Sequence, residues 1–406
     1  MAKTKMPFTT LDTGPHFYPM LGVLAAVAAV GLGSALYMEH HGHVVTGMSN
    51  QVVWGLPHVF AIFLIVAASG ALNVASIGSV FGKAPYKPLA PLSGLTAVAL
   101  LAGGLMVLVL DLGRPDRLVV AMTHFNFSSI FAWNVILYNG FFAIVGVYLW
   151  TMLDRRMNGH SGKVGLAAFL WRLILTTGTG SIFGFLVARE TYHSAVMAPL
   201  FIAMSLSFGK AVFLLVVVGL YRMEDREVGD AMVKRLAKLQ ALFVAATFYL
   251  VVVQHLTNLY TARGGEVEHF FLGSGGVYTL LFWGGQILVG TVLPLILLLH
   301  PGFNTTRSNV LLAAALVIVG GLAQVYVIVI GGQAFPLSLF PGMQVTSDAF
   351  DGTVGAYDPS LPELLLGLGG AAVALLIITV ASAAFRFLPA SLADAEVDKH
   401  HAEANA

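Results

Sequence analysis

Ten apolar runs of about twenty residues each, bounded by charges, Gly or Pro, succeed one another along the 406-residue chain. Each is long enough to cross a bilayer as a helix. They cover roughly 17–38, 57–81, 91–110, 130–152, 164–187, 195–221, 236–255, 277–299, 310–330 and 364–385. In hydrocarbon only helices and closed barrels satisfy every backbone N–H and C=O, and none of the runs alternates apolar and polar residues as a barrel strand does. The pattern predicts an all-α integral membrane protein of about ten transmembrane helices in bundles. An N-terminal segment 1–16 and a tail 387–406 flank a membrane domain 17–386. With 57% hydrophobic and 10% charged residues, the chain is far from a soluble domain, which carries about 25% charged residues.

Lys and Arg set the orientation. Fifteen fall in the N-terminus, the even-numbered loops and the C-terminal segment, against Arg114, Arg117, Arg189 and Arg263 in the odd-numbered loops. Both termini are therefore expected in the cytoplasm. The first run is too long, and too far from a small-residue cleavage site, for a removed signal peptide. The chain has no cysteine, so thiolate-held clusters and disulfides are excluded on it and any iron–sulfur cluster belongs to a partner. A net charge of +1 argues against nucleic acid, which needs a basic face.

Polar groups inside hydrocarbon are costly, so each asks for a partner or a job. On the second run His58, Ser69, Asn73 and Ser76 share one helical stripe, and on the seventh Gln240, Thr247, Gln254 and Asn258 share another, with His255 beside it. Such stripes serve either as interhelical packing or as a polar pocket for a ligand head group. Asn134 and Tyr138, four apart on the fourth run, could offer an amide and a phenol to one carbonyl-bearing ligand. Lys210 lies deep in the sixth run and asks for a cavity, a carboxylate or a snorkelling path.

The densest local signal is Asp111-Leu112-Gly113-Arg114-Pro115-Asp116-Arg117, where the third run leaves the membrane. Read structurally, it is a sharp turn stapled by ion pairs. Read functionally, Asp111 is an acid at the membrane boundary suited to proton exchange, with Arg114 and Arg117 positioning it. A second knot, Arg189, Glu190 and His193, reads either as a static pair or as a proton relay. The acidic 331–363 segment with Asp348, Asp351 and Asp358, and the 256–276 segment with Arg263, Glu266, Glu268 and His269, have lengths that cap a site or dock a partner. His58, His124, His193 and His255 lie toward one side, and a b-type haem between two of them stays open, with nothing beyond that shared side to support it. No metal site is assigned.

Taken together, Val44 to Met48, Gln51-Val52-Val53-Trp54-Gly55-Leu56, the glycine- and serine-bearing second run and Asp111 to Arg117 resemble the NrfD/PsrC family. Gly331 to Leu337, before a long loop, resembles its longer ten-helix branch, which includes the membrane subunits of sulfite-reduction-associated (DsrP), Hmc and hydrogenase-2 complexes. The resemblance covers nearly the whole chain. It implies a quinone-interacting subunit of a bacterial or archaeal inner-membrane complex, exchanging electrons between menaquinone or ubiquinone and a ferredoxin-like iron–sulfur partner with further redox subunits, in sulfur-compound or related respiration. Where some relatives carry a histidine farther into the second run, this chain has Ser69 and Gly70.

The candidate site follows from both readings. Asp111, His58, Glu190 and His193 are the expected proton-exchanging groups, and Asn73, Asn134, Tyr138, Arg114, Arg117 and Arg189 the expected head-group ligands. Two rival functions are a transporter or proton channel without a quinone site, and a passive anchor. Transporters place their sites near the midplane on broken helices, whereas the charges here gather near the outer ends.

Overall fold

The structure, a computed structural model, describes residues 7–261, 264–304, 306–337, 352–394 and 397. Among them are ten helices long and apolar enough to cross a membrane: α1 (Phe17–His41), α2 (Leu56–Ser79), α3 (Ala84–Leu110), α4 (Ile130–Leu153), α5 (Asn158–Phe185), α6 (Met197–Met223), α7 (Asp230–Tyr260), α8 (Gly276–Leu299), α9 (Arg307–Ala334) and α10 (Leu361–Ala384). Each contains or closely overlaps one apolar run. Helices α5 and α7 start earlier than the runs, at Asn158 and Asp230, because a helix continues into the headgroup region, where polar residues are tolerated. Asp348, Asp351 and Arg263 lie outside the described residues.

Helices α2 and α6 form the centre, with 89% and 83% of their apolar windows buried, whereas α1 and α8 are peripheral at 17% and 22%. One half packs α2 with α3 and α4 with α5; the other gathers α6, α7, α8 and α9. Helices α1 and α10 lie against each other, and α10 also rests on α3 and α2. The halves meet where α2 crosses α6. A Cβ on Gly70 would stand 1.5 Å from the Ser205 carbonyl oxygen, and one on Gly209 2.3 Å from that of Ala67. Only glycine permits this backbone approach, which in lipid supplies the packing that hydrophobic burial cannot. The helical ladder of α2 is interrupted at Leu72, where the Ser93 hydroxyl donates to Ala71 O (2.7 Å) and accepts from Ala75 N–H (3.0 Å). A break inside the membrane is thus satisfied by a neighbouring helix.

The segments before α1 and after α10 meet at one end of the bundle. Phe8–Thr9 pairs antiparallel with Leu388–Pro389. Arg226, in the α6–α7 connection, donates to Thr9 Oγ1 (2.7 Å), and Tyr221 donates to Pro389 O (2.5 Å). An even number of spans requires this placement. At the opposite, far end lie the α1–α2, α3–α4, α5–α6, α7–α8 and α9–α10 connections, which carry the candidate site.

Candidate functional site

The α1–α2 connection is folded by a set of buried acceptors and donors. The Gln333 amide at the end of α9 accepts from the backbone N–H of Val53 (2.9 Å) and Trp54 (3.0 Å) and donates to Trp54 O (3.0 Å) and Val329 O (2.8 Å). Arg189 reaches in from the α5–α6 connection and donates to Gln333 O (2.8 Å) and Gln51 O (2.6 Å). Glu363, buried in the first turn of α10, accepts from Gly47 N–H (2.9 Å), Ser360 N–H (2.8 Å) and the Tyr357 hydroxyl (2.8 Å). Burial, and then the neighbouring Glu363 carboxylate, push the Tyr357 phenol above its usual range, so it stays a donor. Gly47 is required here, since a Cβ would lie 2.1 Å from Asp358 O.

This scaffold fixes Trp54. Its ring lies 6.2 Å from the His58 ring and 6.3 Å from Tyr192, both stacked, and 6.0 Å from Phe131 and Phe183 edge-on. Beneath it, Nδ1 of His58 in the first turn of α2 stands 2.7 Å from Oδ2 of Asp111, the residue that caps α3. The Asp111 side chain is wholly buried and that of His58 is 13% exposed. The approach is an ion-pair contact rather than an aligned hydrogen bond, so neither Asp111 oxygen accepts one among the described residues. A buried carboxylate with unused acceptor capacity is costly unless a ligand or a proton fills it. With Nδ1 turned to the carboxylate, Nε2 is the nitrogen left for a ligand. Val53, Phe127 and Phe131 expose apolar surface at the same end.

Several expected ligands lie elsewhere. Asn73 accepts from Arg172 Nη2 (2.8 Å), and Ser69 donates to Arg172 O and accepts from Thr176. Fifteen residues of helix at 1.5 Å per residue put Asn73 roughly 22 Å below His58, so the stripe on α2 is split between a site at its end and packing along its length. Asn134 spends its amide on Ile130 O and Gly178 O, clasping α4 to α5, with buried Tyr138 one turn away. Arg114 pairs with Asp116 (2.9 Å) in the open, not with Asp111, each holding the other in its charged form, and Arg117 is exposed. Short chain distance favours this pairing, and Asp111 turns inward while the Arg114 side chain stays in water. Arg189 forms no pair with Glu190. Its guanidinium goes to backbone carbonyls, and Glu190 and His193 are exposed. His58 and His255 sit in different halves, each with Nδ1 against its own carboxylate.

Sequence alone assigns no role to His43, Tyr357 or Glu363. His43 lies over Gly113 of the charged turn, 3.5 Å from where a Cβ would be. The Ser360–Glu363 spacing, a helix-capping box, is the available signal for Glu363.

The sequence profile of the family Polysulphide reductase, NrfD matches residues 44–337, which span α2 to α9 and leave the α1–α10 pair outside. The Hdr-like menaquinol oxidoreductase integral membrane subunit of Archaeoglobus fulgidus is 29% identical over 92% of this chain and 94% of its own length. The putative dimethyl sulfoxide reductase membrane subunit of Halobacterium salinarum is 28% identical over 94% and 92%. A polysulfide reductase chain of Wolinella succinogenes is 26% identical over 70% of this chain and 96% of its own length.

Proposed function

The chain belongs to the NrfD polysulphide reductase family, and from that premise we propose that it is the quinone-interacting membrane subunit of a multi-subunit redox complex. Its relatives are named as parts of menaquinol, polysulfide and dimethyl sulfoxide oxidoreductases, which supports a role in electron transport between the quinone pool and partner redox subunits. The observation that carries the site is the buried Asp111 carboxylate against His58, under the Trp54 ring, at an end lined with exposed apolar residues.

A quinol oxidised there gives up two electrons and two protons. The chain's own groups suit that load. His58 Nε2 accepts a hydrogen bond from a ligand hydroxyl and takes its proton, the Asp111 carboxylate offsets the imidazolium charge and takes that proton in turn so that His58 is free for the second, and Trp54 covers the head group with a flat apolar face. Menaquinol is the first candidate, on the name of the Archaeoglobus relative. An iron–sulfur partner docks on the far end, where the connections are rigidified by Gln333, Arg189 and Glu363. That end is the outer face, both termini are cytoplasmic, the lipid bilayer is the bacterial or archaeal inner membrane, and residues 17–386 form one membrane domain. The Lys and Arg distribution supports this orientation. Of the expected site residues, Asp111 and His58 remain the proton-exchanging pair, and Arg189 positions Trp54 through backbone carbonyls.

Fluorescence quenching of the purified chain by a hydroxyquinoline N-oxide quinol analogue tests the reading. Saturable quenching that Trp54→Phe removes supports it, and binding that is indifferent to Trp54, His58 and Asp111 refutes it.

A further inference from the structure

The second half of the molecule holds a buried polar line that the quinone site does not use. Its outer member is a second histidine–carboxylate pair. His255 Nδ1 lies 2.5 Å from Glu268 Oε2, and Asn258 donates to Glu268 Oε1 (2.8 Å), with the Glu268 side chain 1% exposed. This pair borders a cavity of about 50 Å3, also lined by Gln254, Gln286 and Gln324. At roughly 10–15 Å3 per water, that space holds a few waters. A smaller cavity of about 10 Å3 lies deeper, sharing Gln286 and Gln324 with the first and adding Ser207, Thr247 and Thr291. Gln240 donates to Ser207 O (3.1 Å) at its floor. Lys210 is three residues from Ser207 on α6, on the same helical face, and 1% exposed.

Three buried atoms on or beside this line have no hydrogen-bond partner among the described residues: Gln324 Nε2, Gln240 Oε1 and Lys210 Nζ. Both π-helical stretches, Leu281–Val292 and Val327–Gly331, border the first cavity through Gln286, Val327 and Ile328. Wide turns of this kind are rare and recur at functional sites, because they free backbone groups and side-chain room inside a helix.

We propose that this line is a hydrated proton path running from the far end of the bundle, at His255 and Glu268, to Lys210 at the middle of the membrane. The proposal does not rest on the quinone reading. Polar and titratable groups stacked in hydrocarbon are costly, and proton relays are a principal reason proteins keep them. A hydronium at the mouth gives its proton to the Glu268 carboxylate and leaves as water. The glutamines and hydroxyls hold the intervening waters without changing charge. Glu268 passes that proton to the first of these waters and is a carboxylate again, each water hands a proton to the next, and at the deep end the Lys210 amine takes the proton from the last hydronium and becomes an ammonium. Gly209, next to Lys210, packs on the α2 backbone at Ala67 and Ala71, which sets the deep end at the seam between the two halves.

The absence of cysteine from the chain makes water access directly measurable. Single variants Ser207→Cys and Thr291→Cys, near-isosteric with the native residues, are exposed to silver ion in chloride-free medium from the outer side of oriented vesicles, and the thiols left unblocked are counted by mass after denaturation. The control is Ala211→Cys, buried on α6 and lining neither cavity. The expected result is blocking of both path positions at least about tenfold faster than the control. Equal rates, or blocking only from the opposite side, overturn the path. In the assembled complex in liposomes, Glu268→Gln and Lys210→Met are expected to lower the protons moved per electron by half or more. A ratio unchanged in both variants overturns the proton role. A complex without quinol turnover counts against the quinone reading instead, and the silver result then decides the path alone.

Discussion

Nδ1 of His58 and Oδ2 of Asp111 stand 2.7 Å apart, although one opens α2 and the other ends α3. The pairing places an imidazole against a carboxylate that no backbone donor satisfies among the described residues. The nearby cations, Arg114 and Arg117, take no part in it. The pair stands apart from the charged turn that follows, which is a surface feature.

Arg114→Ala is accordingly a near-neutral change. An exposed ion pair is screened by solvent and contributes little to stability, so complex yield and quinol-linked turnover are expected within about twofold of the parent. A loss comparable to that of Asp111 variants would return Arg114 to the site.

Gln333→Ala removes acceptor and donors from the Trp54 segment at once. Each buried backbone group left unpaired costs about 1–3 kcal/mol, so the Trp54 ring loses its position. The expected outcome is weaker binding of the quinol analogue with the complex still assembling, read as a several-fold rise in the quenching Kd. Unchanged affinity would show that Gln333 does not hold the site.

At the α2–α6 crossing, Gly209→Leu forces a side chain into the backbone of Ala67 and Ala71. Overpacking typically costs about 1–3 kcal/mol, and here the obstructing atoms are main chain, so a drop in thermal stability and in yield is expected. A fully stable Gly209→Leu protein would contradict the seam.

Topology is checked by reporters inserted at Asp154 and at Ser274, in an α4–α5 and an α7–α8 connection. They should report opposite sides of the membrane, with Asp154 cytoplasmic. Matching signals would contradict the ten-span arrangement, and opposite signals with Asp154 outside would reverse the orientation.

The apolar runs make the ten helices legible because hydrocarbon thickness fixes their length, and the same constraint hides what happens between them. His58 and Asp111 are both visible as polar residues at helix ends, yet their partnership depends on α2 packing against α3, which no local pattern encodes. Asn73 shows the converse. Its shared stripe with His58 is real as an angle about the helix, but depth along the axis separates packing near the middle from chemistry at the end. Proximity in sequence pairs Arg189 with Glu190, whereas the folded chain offers it two backbone carbonyls, an acceptor pair that residue spacing cannot show.

The most direct test of the quinone site is Asp111→Asn, which keeps the size and polarity of the side chain while removing the acid. Yield of assembled complex and quinol-linked electron transfer are measured on the same preparation. General acid–base groups contribute about 10²- to 10⁴-fold, so normal assembly with turnover reduced by that order is expected. Full turnover in a well-assembled Asp111→Asn complex would remove Asp111 from the mechanism and with it the central claim.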